Sequence, residues 1–272
     1  MKKPVIGLAL SGGSALGFAH IGVLEELEKN GIKAQIVTGT SMGAIVGGAY
    51  AKGLSMEVMT SYAKKITKSK FVDGNFFKNG GVFQGSYINR MFKEVFGETN
   101  IEELDTKFAC IACDINSGKE VVFDKGNLRT AVRASMNIPG LFAPIKHENM
   151  CLVDGGVTNN LPDNVAKKMG ADIIIAVNVL ENSYPHFKGK RVVNAIIASL
   201  QMANIYSMKN RKKYANIELK PEIDYFKTGI NLFSFDKNKI DTIIEAGRIE
   251  AKKMMPKILE IVKNWKETKV KK

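Results

Sequence analysis

The spacing of apolar positions changes twice within the first fifty residues. Val5 to Leu10 is a continuous apolar run that stops at Ser11-Gly12-Gly13-Ser14, after which Leu16, Val23, Leu24 and Leu27 recur at helical spacing as far as Asn30-Gly31. The pattern predicts a buried strand, a tight loop and an amphipathic helix. Gln35 to Thr38 is a second apolar stretch, and Gly39-Thr40-Ser41-Met42-Gly43 turns it into a small-residue helix through Ala44, Val46 and Ala49. Strands that alternate with helices need crossover connections, so the chain opens as a βαβα unit on a parallel sheet.

Residues 55–97 read mostly as helix, broken by a glycine-rich loop from Gly74 to Gly85. Phe108 to Ile115 and Glu120 to Phe123 read as strands around the hairpin-like turn Asn116-Ser117-Gly118, which makes the sheet mixed though mostly parallel. A short helix from Asn127 to Met136, a short strand from Cys151 to Val153, a helix from Asp163 to Met169 and a buried strand from Ile173 to Val179 follow. Two longer helical stretches come last, Val192 to Tyr214 and Ile240 to Trp265, the second interrupted or restarted at Pro256. No linker composition and no internal repeat divides the chain. It is expected to form one α/β domain over 1–272, helical from about 190 onward, with Thr268 to Lys272 frayed.

Composition narrows the function only slightly. With 272 residues, 45% apolar and 25% charged, the chain has ordinary globular proportions. A net charge of +13 favours anionic partners, among them membrane surfaces, nucleic acid and acidic substrates, without choosing between them. Three cysteines, Cys110, Cys113 and Cys151, form no disulfide framework and point to a reducing compartment such as the cytoplasm. Lys2 and Lys3 before Val5 imitate the start of a signal peptide, but the apolar run is too short for one, so export is not expected. No apolar run reaches the roughly 18 to 20 residues that span a bilayer, so any membrane contact is peripheral.

Gly39-x-Ser41-x-Gly43, lying between a strand and a helix, is the arrangement of a nucleophile elbow, whose glycines permit a strained turn that pushes the serine hydroxyl outward. A glycine-lined turn with a capping serine is the competing reading. The helix that begins beside Ser41 supplies free N–H groups and a positive dipole end, both useful to a developing anion. The loop from Gly12 to Gly17 leaves the neighbouring strand and aims backbone N–H groups at an anion in the same way. A dinucleotide fingerprint would need glycine where Ser14 stands and an acid where Thr38-Gly39-Thr40 stands, and no Gly-Lys-Ser/Thr follows. An oxyanion hole fits that loop better.

Asp154-Gly155-Gly156, directly after a strand, is either a structural turn or a carboxylate placed to act as a base. The three histidines are weaker candidates. His20 sits on the apolar face of the first helix and reads as a core residue, while His147 and His186 sit in loops. Cys110 and Cys113 lie on a predicted strand, where residues three apart face opposite sides, which disfavours redox or metal chemistry. Lys209, Arg211, Lys212 and Lys213 read as a solvated helix end. Residues 237–272 carry 11 basic and 5 acidic side chains with Trp265 among them, an ordinary charged helix or an interfacial membrane patch.

Leu8 through Leu24, with Gly39-Thr40-Ser41-Met42-Gly43 and Asp154-Gly155-Gly156, closely resemble the patatin-like phospholipases. Ala134-Ser135-Met136-Asn137-Ile138-Pro139-Gly140 with Phe142 and Pro144, and Asn159-Asn160-Leu161-Pro162, resemble further segments of that family, so the similarity covers residues 4–180. The resemblance implies a three-layer α/β/α fold with a mostly parallel central sheet and lipid acyl hydrolysis by a serine–aspartate dyad. Ser41 corresponds to the nucleophile, Asp154 to the base, and Gly12, Gly13 and Ser14 to the oxyanion hole. Gly17, Gly39, Gly43, Gly155 and Gly156 correspond to supporting glycines. The chain departs at Leu16, where many bacterial members have arginine, which removes a positive charge near the entrance and bears on headgroup preference, and at Ser14, where many have glycine and the serine adds a hydroxyl donor. A lipid or acyl ester substrate is implied, with neither cofactor, metal nor nucleic acid, and the +13 charge with its basic C-terminal helix adds an expectation of peripheral contact with an anionic membrane. A triad hydrolase using His147 or His186, and a non-catalytic membrane-associated module, are the alternatives.

Overall fold

The computed structural model describes residues 3–66, 86–181, 192–224 and 235–265. The Gly74 to Gly85 loop, His186 and the residues from 266 onward lie outside them. In chain order the strands are β1 (Ile6–Leu10), β2 (Ile36–Thr40), β3 (Lys107–Asp114), β4 (Lys119–Phe123), β5 (Ile145–His147), β6 (Met150–Asp154), β7 (Ile173–Val177) and β8 (Ile217–Leu219). The helices are α1 (Ala19–Lys29), α2 (Met42–Ala51), α3 (Met56–Lys65), α4 (Ser86–Phe96), α5 (Leu128–Ser135), α6 (Asp163–Lys168), α7 (Val192–Asn210) and α8 (Lys237–Asn264).

All eight strands among the described residues join one mixed sheet ordered β5-β6-β3-β2-β1-β7-β8, with β4 also on β3. The pairs from β3 through β2, β1 and β7 to β8 are parallel, whereas β4, β5 and β6 join antiparallel. Side chains alternate across the strands, so the register sorts them by face. Leu8, Val37 and Phe108 lie in line on one face, and Ala9, Thr38 and Ala109 on the other. The large-residue face receives α2 and α5, which meet it around Gly48, where a Cβ would come within 3.5 Å of Val132, Phe108 and Leu128. The small-residue face receives α6, whose Val165 packs on Ala109 and Ile111. Helices on both faces of a central sheet make the three-layer α/β/α architecture.

Register also decides what meets at the middle of β3. Ile111 pairs with Thr40, the last residue of β2, and Ala112 pairs with Asp154, the last residue of β6. Because β4 pairs with residues 110–114 of β3, both β2 and β6 occupy the opposite edge. One strand runs parallel to β3 and the other antiparallel, so their carboxyl ends face each other head to head, one residue apart in register.

Several expectations need correction. β5 and β8 have three residues each, too few for a periodic signal, and β5 places His147 on a strand instead of in a loop. Pro256 does not interrupt α8, which runs unbroken from Lys237 to Asn264. It lies on the exposed side, where the carbonyl its ring leaves unpaired is open to solvent. Arg211 is not a solvated helix end. It donates to the Asp163 carboxylate at 2.6 Å, and Asp163, 1% exposed, also accepts from the N–H groups of Tyr214 and Ala215. Leu16 is buried in the core and not at an entrance. α1 and α8 cross where a side chain on Gly22 or Gly247 would run into the backbone of Ile244 or Ala19, so the two helices touch main chain to main chain.

Candidate active site

Two strand ends and two turns converge beside β3. Ser41 follows β2 and caps α2 with φ 55° and ψ −120°, a combination that costs a non-glycine residue on the order of 1–3 kcal/mol and persists only when its surroundings impose it. The surroundings are visible. A Cβ on Gly43 would lie 2.2 Å from the Leu10 carbonyl oxygen, so the helix can start this close to β1 only with glycine there. The Ser41 N–H donates to the Ser135 hydroxyl at 3.0 Å, and Thr40 Oγ1 donates to the Asn159 carbonyl at 2.8 Å.

Asp154 ends β6 and caps a single 3-10 turn, its Oδ1 accepting from the Gly156 N–H at 2.8 Å. A Cβ on Gly155 would lie 2.2 Å from the Ile111 carbonyl oxygen, so this turn too hugs β3 only because it is glycine. Burial pushes the Asp154 carboxyl up to about 6; the nearby Ser41 hydroxyl and the Gly156 N–H oppose that rise. Its Oδ2 is buried and closes no hydrogen bond of good geometry. Catalytic hydrogen bonds are commonly loose before a substrate is present, so an open Oδ2 beside a serine hydroxyl is what a waiting base presents.

The loop after β1 forms a third side. Ser11 is tied to β7 by its N–H, which donates to the Val177 carbonyl, and its hydroxyl accepts from the Val179 N–H. The Gly12 N–H donates to the Asn160 carbonyl at 3.1 Å, so it is not available to an oxyanion, contrary to the expectation from sequence. The position needs glycine for space: a Cβ would meet Asn160 Oδ1 at 2.5 Å and the Ser41 Cβ at 3.1 Å. The N–H groups of Gly13 and Ser14 have no acceptor among the described residues, and Ser14 holds φ 48°. Ser14, Gly13, Ser41 and Asp154 line one pocket of about 70 Å³, walled by Ile138, Pro139, Leu180, Ile197 and Leu200.

His20 is fully buried, its Nε2 on the Ser11 carbonyl at 2.8 Å, and burial lowers its pKa to about 4, so the ring is neutral and outside the pocket. His147 pairs with Met150 and stacks edge-on against Phe123, also outside it. Cys110 is buried on β3, and burial pushes its thiol far above the ordinary range. Sequence reasoning missed the duties of Ser135 and Asn160. Both fall in segments singled out by resemblance, but a hydrogen bond from Ser41 to a residue so distant in sequence leaves no periodic trace.

A family model described as Patatin-like phospholipase matches residues 8–166. Lysophospholipase NTE1 of Candida albicans is 35% identical over 184 residues, which cover 66% of this chain and 13% of that protein. An NTE family protein of Mycobacterium bovis is 35% identical over 181 residues, 65% of this chain and 50% of its own. The chain thus spans between 13% and 50% of the length of these curated relatives. The crystal structure of VipD from Legionella pneumophila superposes with a TM-score of 0.57 at 12% identity, over 94% of this chain and 67% of that one, a likeness of fold.

Proposed function

Since the chain belongs to the patatin-like phospholipase family, we propose that it is a lipid acyl hydrolase in which Ser41 is the nucleophile and Asp154 its base. The observation that carries this reading is the meeting of β2 and β6 on one edge of β3, which sets the strained serine against a buried, partly unpaired carboxylate. Asp154 Oδ2 takes the hydroxyl proton as Ser41 Oγ attacks the ester carbonyl. Negative charge then grows on the carbonyl oxygen, and the N–H groups of Gly13 and Ser14, with the amino-terminal end of α2, stabilise it. Asp154 returns its proton to the leaving alcohol, and water repeats the sequence to release the fatty acid. A carboxyl near 6 suits this work: it is a stronger base than a free aspartate yet ionised at neutral pH. The apolar pocket walls support an acyl substrate, and the +13 charge supports peripheral contact with an anionic bilayer.

The test is labelling with a fluorophosphonate probe together with hydrolysis of a soluble short-chain ester. Wild-type protein should carry the adduct on Ser41 and turn over ester, and Ser41→Ala should do neither. Turnover that survives Ser41→Ala refutes the assignment.

A further inference from the structure

Helix α7 breaks the usual rule for a surface helix. No charged residue occurs between Arg191 and Lys209. Its inward side brings Ile197, Leu200, Gln201 and Asn204 to the pocket beside Ser41 and Asp154. Its outward side bears Ile196, Met202 and Tyr206, exposed by 44%, 43% and 73%. Val157, 48% exposed, adds an apolar side chain from the turn after Asp154 and itself lines the pocket. Lys209 and Lys212 stand exposed at the carboxyl end of the helix, and the helix has no carboxylate to repel an anionic surface. No helix among the described residues is long and apolar enough to cross a membrane.

We propose that the outward face of α7 is the surface by which the protein docks on a lipid bilayer, lying in the interface with Ile196, Met202 and Tyr206 among the acyl chains. This rests on the lipid hydrolase reading. One helix would then carry the membrane contact on one side and the pocket wall on the other, so a lipid leaving the bilayer reaches Ser41 without crossing water. Burial of apolar area drives such docking, the basic residues add attraction to anionic headgroups, and a tyrosine suits the boundary because its ring is apolar and its hydroxyl wet. The basic helix α8 is the natural rival, but several of its basic residues are already paired: Arg248 with Glu25 and Glu245, Lys253 with Glu250, and Lys239 with Asp236.

The experiment compares sedimentation with phosphatidylcholine–phosphatidylglycerol vesicles for Ser41→Ala protein alone, with Met202→Glu and Tyr206→Glu added, and with Ile249→Glu and Leu259→Glu, two exposed apolar positions of α8, added instead. The same pairs in Ser41-containing protein are assayed on a soluble short-chain ester, which certifies their folding. The α7 pair should weaken vesicle partitioning at least about tenfold, since two buried apolar side chains contribute more than that, and leave soluble-ester turnover within twofold. The α8 pair should change neither. Vesicle binding that survives the α7 pair, is lost with the α8 pair, or is missing before any substitution overturns the proposal. So does an α7 pair that turns a dimer into a monomer with vesicle binding intact, which would assign the face to a second copy. Wild-type protein that sediments with vesicles but cleaves no ester refutes the hydrolase reading instead.

Discussion

Asp154 and His20 share nearly every attribute by which a functional group is recognised in a structure. Both are buried, each has one side-chain atom with no good hydrogen bond, Oδ2 and Nδ1, and burial drives both toward the neutral form. They differ in what lies in front of the unpaired atom. Asp154 ends a strand that faces Ser41 across the edge of β3, whereas His20 lies behind the glycine loop and holds the Ser11 carbonyl. A perturbed proton affinity therefore marks strain on a group, and only register against a nucleophile turns that strain into chemistry.

The sharpest way to break the comparison is by rate. Asp154→Asn keeps the shape but cannot accept the serine proton, so kcat on a soluble ester should fall by about 10² to 10⁴, while His147→Gln leaves it unchanged. In wild-type protein kcat/KM should decline about tenfold per pH unit below about 6, where Asp154 becomes protonated. If His147→Gln abolishes turnover and Asp154→Asn preserves it, the histidine triad replaces the dyad.

The next effect concerns stability and has opposite signs at the two sites. The folded state raises the Asp154 pKa from 3.8 to about 6, so the group favours folding below pH 3.8 and loses that contribution as pH rises through 6. Asp154→Asn should therefore be more stable than wild type by about 3 kcal/mol at pH 8, with the gain vanishing near pH 4. Denaturant titrations at both pH values check it. His20 behaves inversely: its pKa falls from 6.5 to about 4, so its contribution is present above 6.5 and lost as pH falls toward 4. His20→Leu should cost about 1–3 kcal/mol at pH 8, the usual penalty for an unpaired buried carbonyl, and the deficit should narrow between pH 6.5 and 4. The smallest expected change is Ser135→Ala, which removes the acceptor for the Ser41 N–H and should cost about 1 kcal/mol of stability with a several-fold loss of kcat.

Much of this arrangement was readable from residues close in sequence. The strand–loop–helix opening, the elbow at Ser41, the hairpin between β3 and β4 and the turn after Asp154 are all written in local glycine placement and apolar spacing. What could not be read depends on distant pairing. The three-residue strands β5 and β8 exist only because a neighbour is already in place, and His147 belongs to a strand for that reason alone. Gly12 looked like a donor because its sequence setting is that of one, but its N–H is taken by a carbonyl from residue 160. Arg211 looked solvated because its immediate neighbours, Lys209, Lys212 and Lys213, are basic too; its partners arrive from elsewhere in the fold, Asp163 through α6 and Glu218 through β8.

The crossing of α1 and α8 at Gly22 and Gly247 has a consequence in time. A ribosome delivers α1 well before α8, yet each forms part of the other's packing surface down to the main chain. Until α8 emerges, a helix that is buried along nearly its whole length in the finished protein has one flank in water. The nascent chain therefore carries an exposed sticky stripe for as long as the segments between the two helices are being made, and in that interval it is open to wrong contacts.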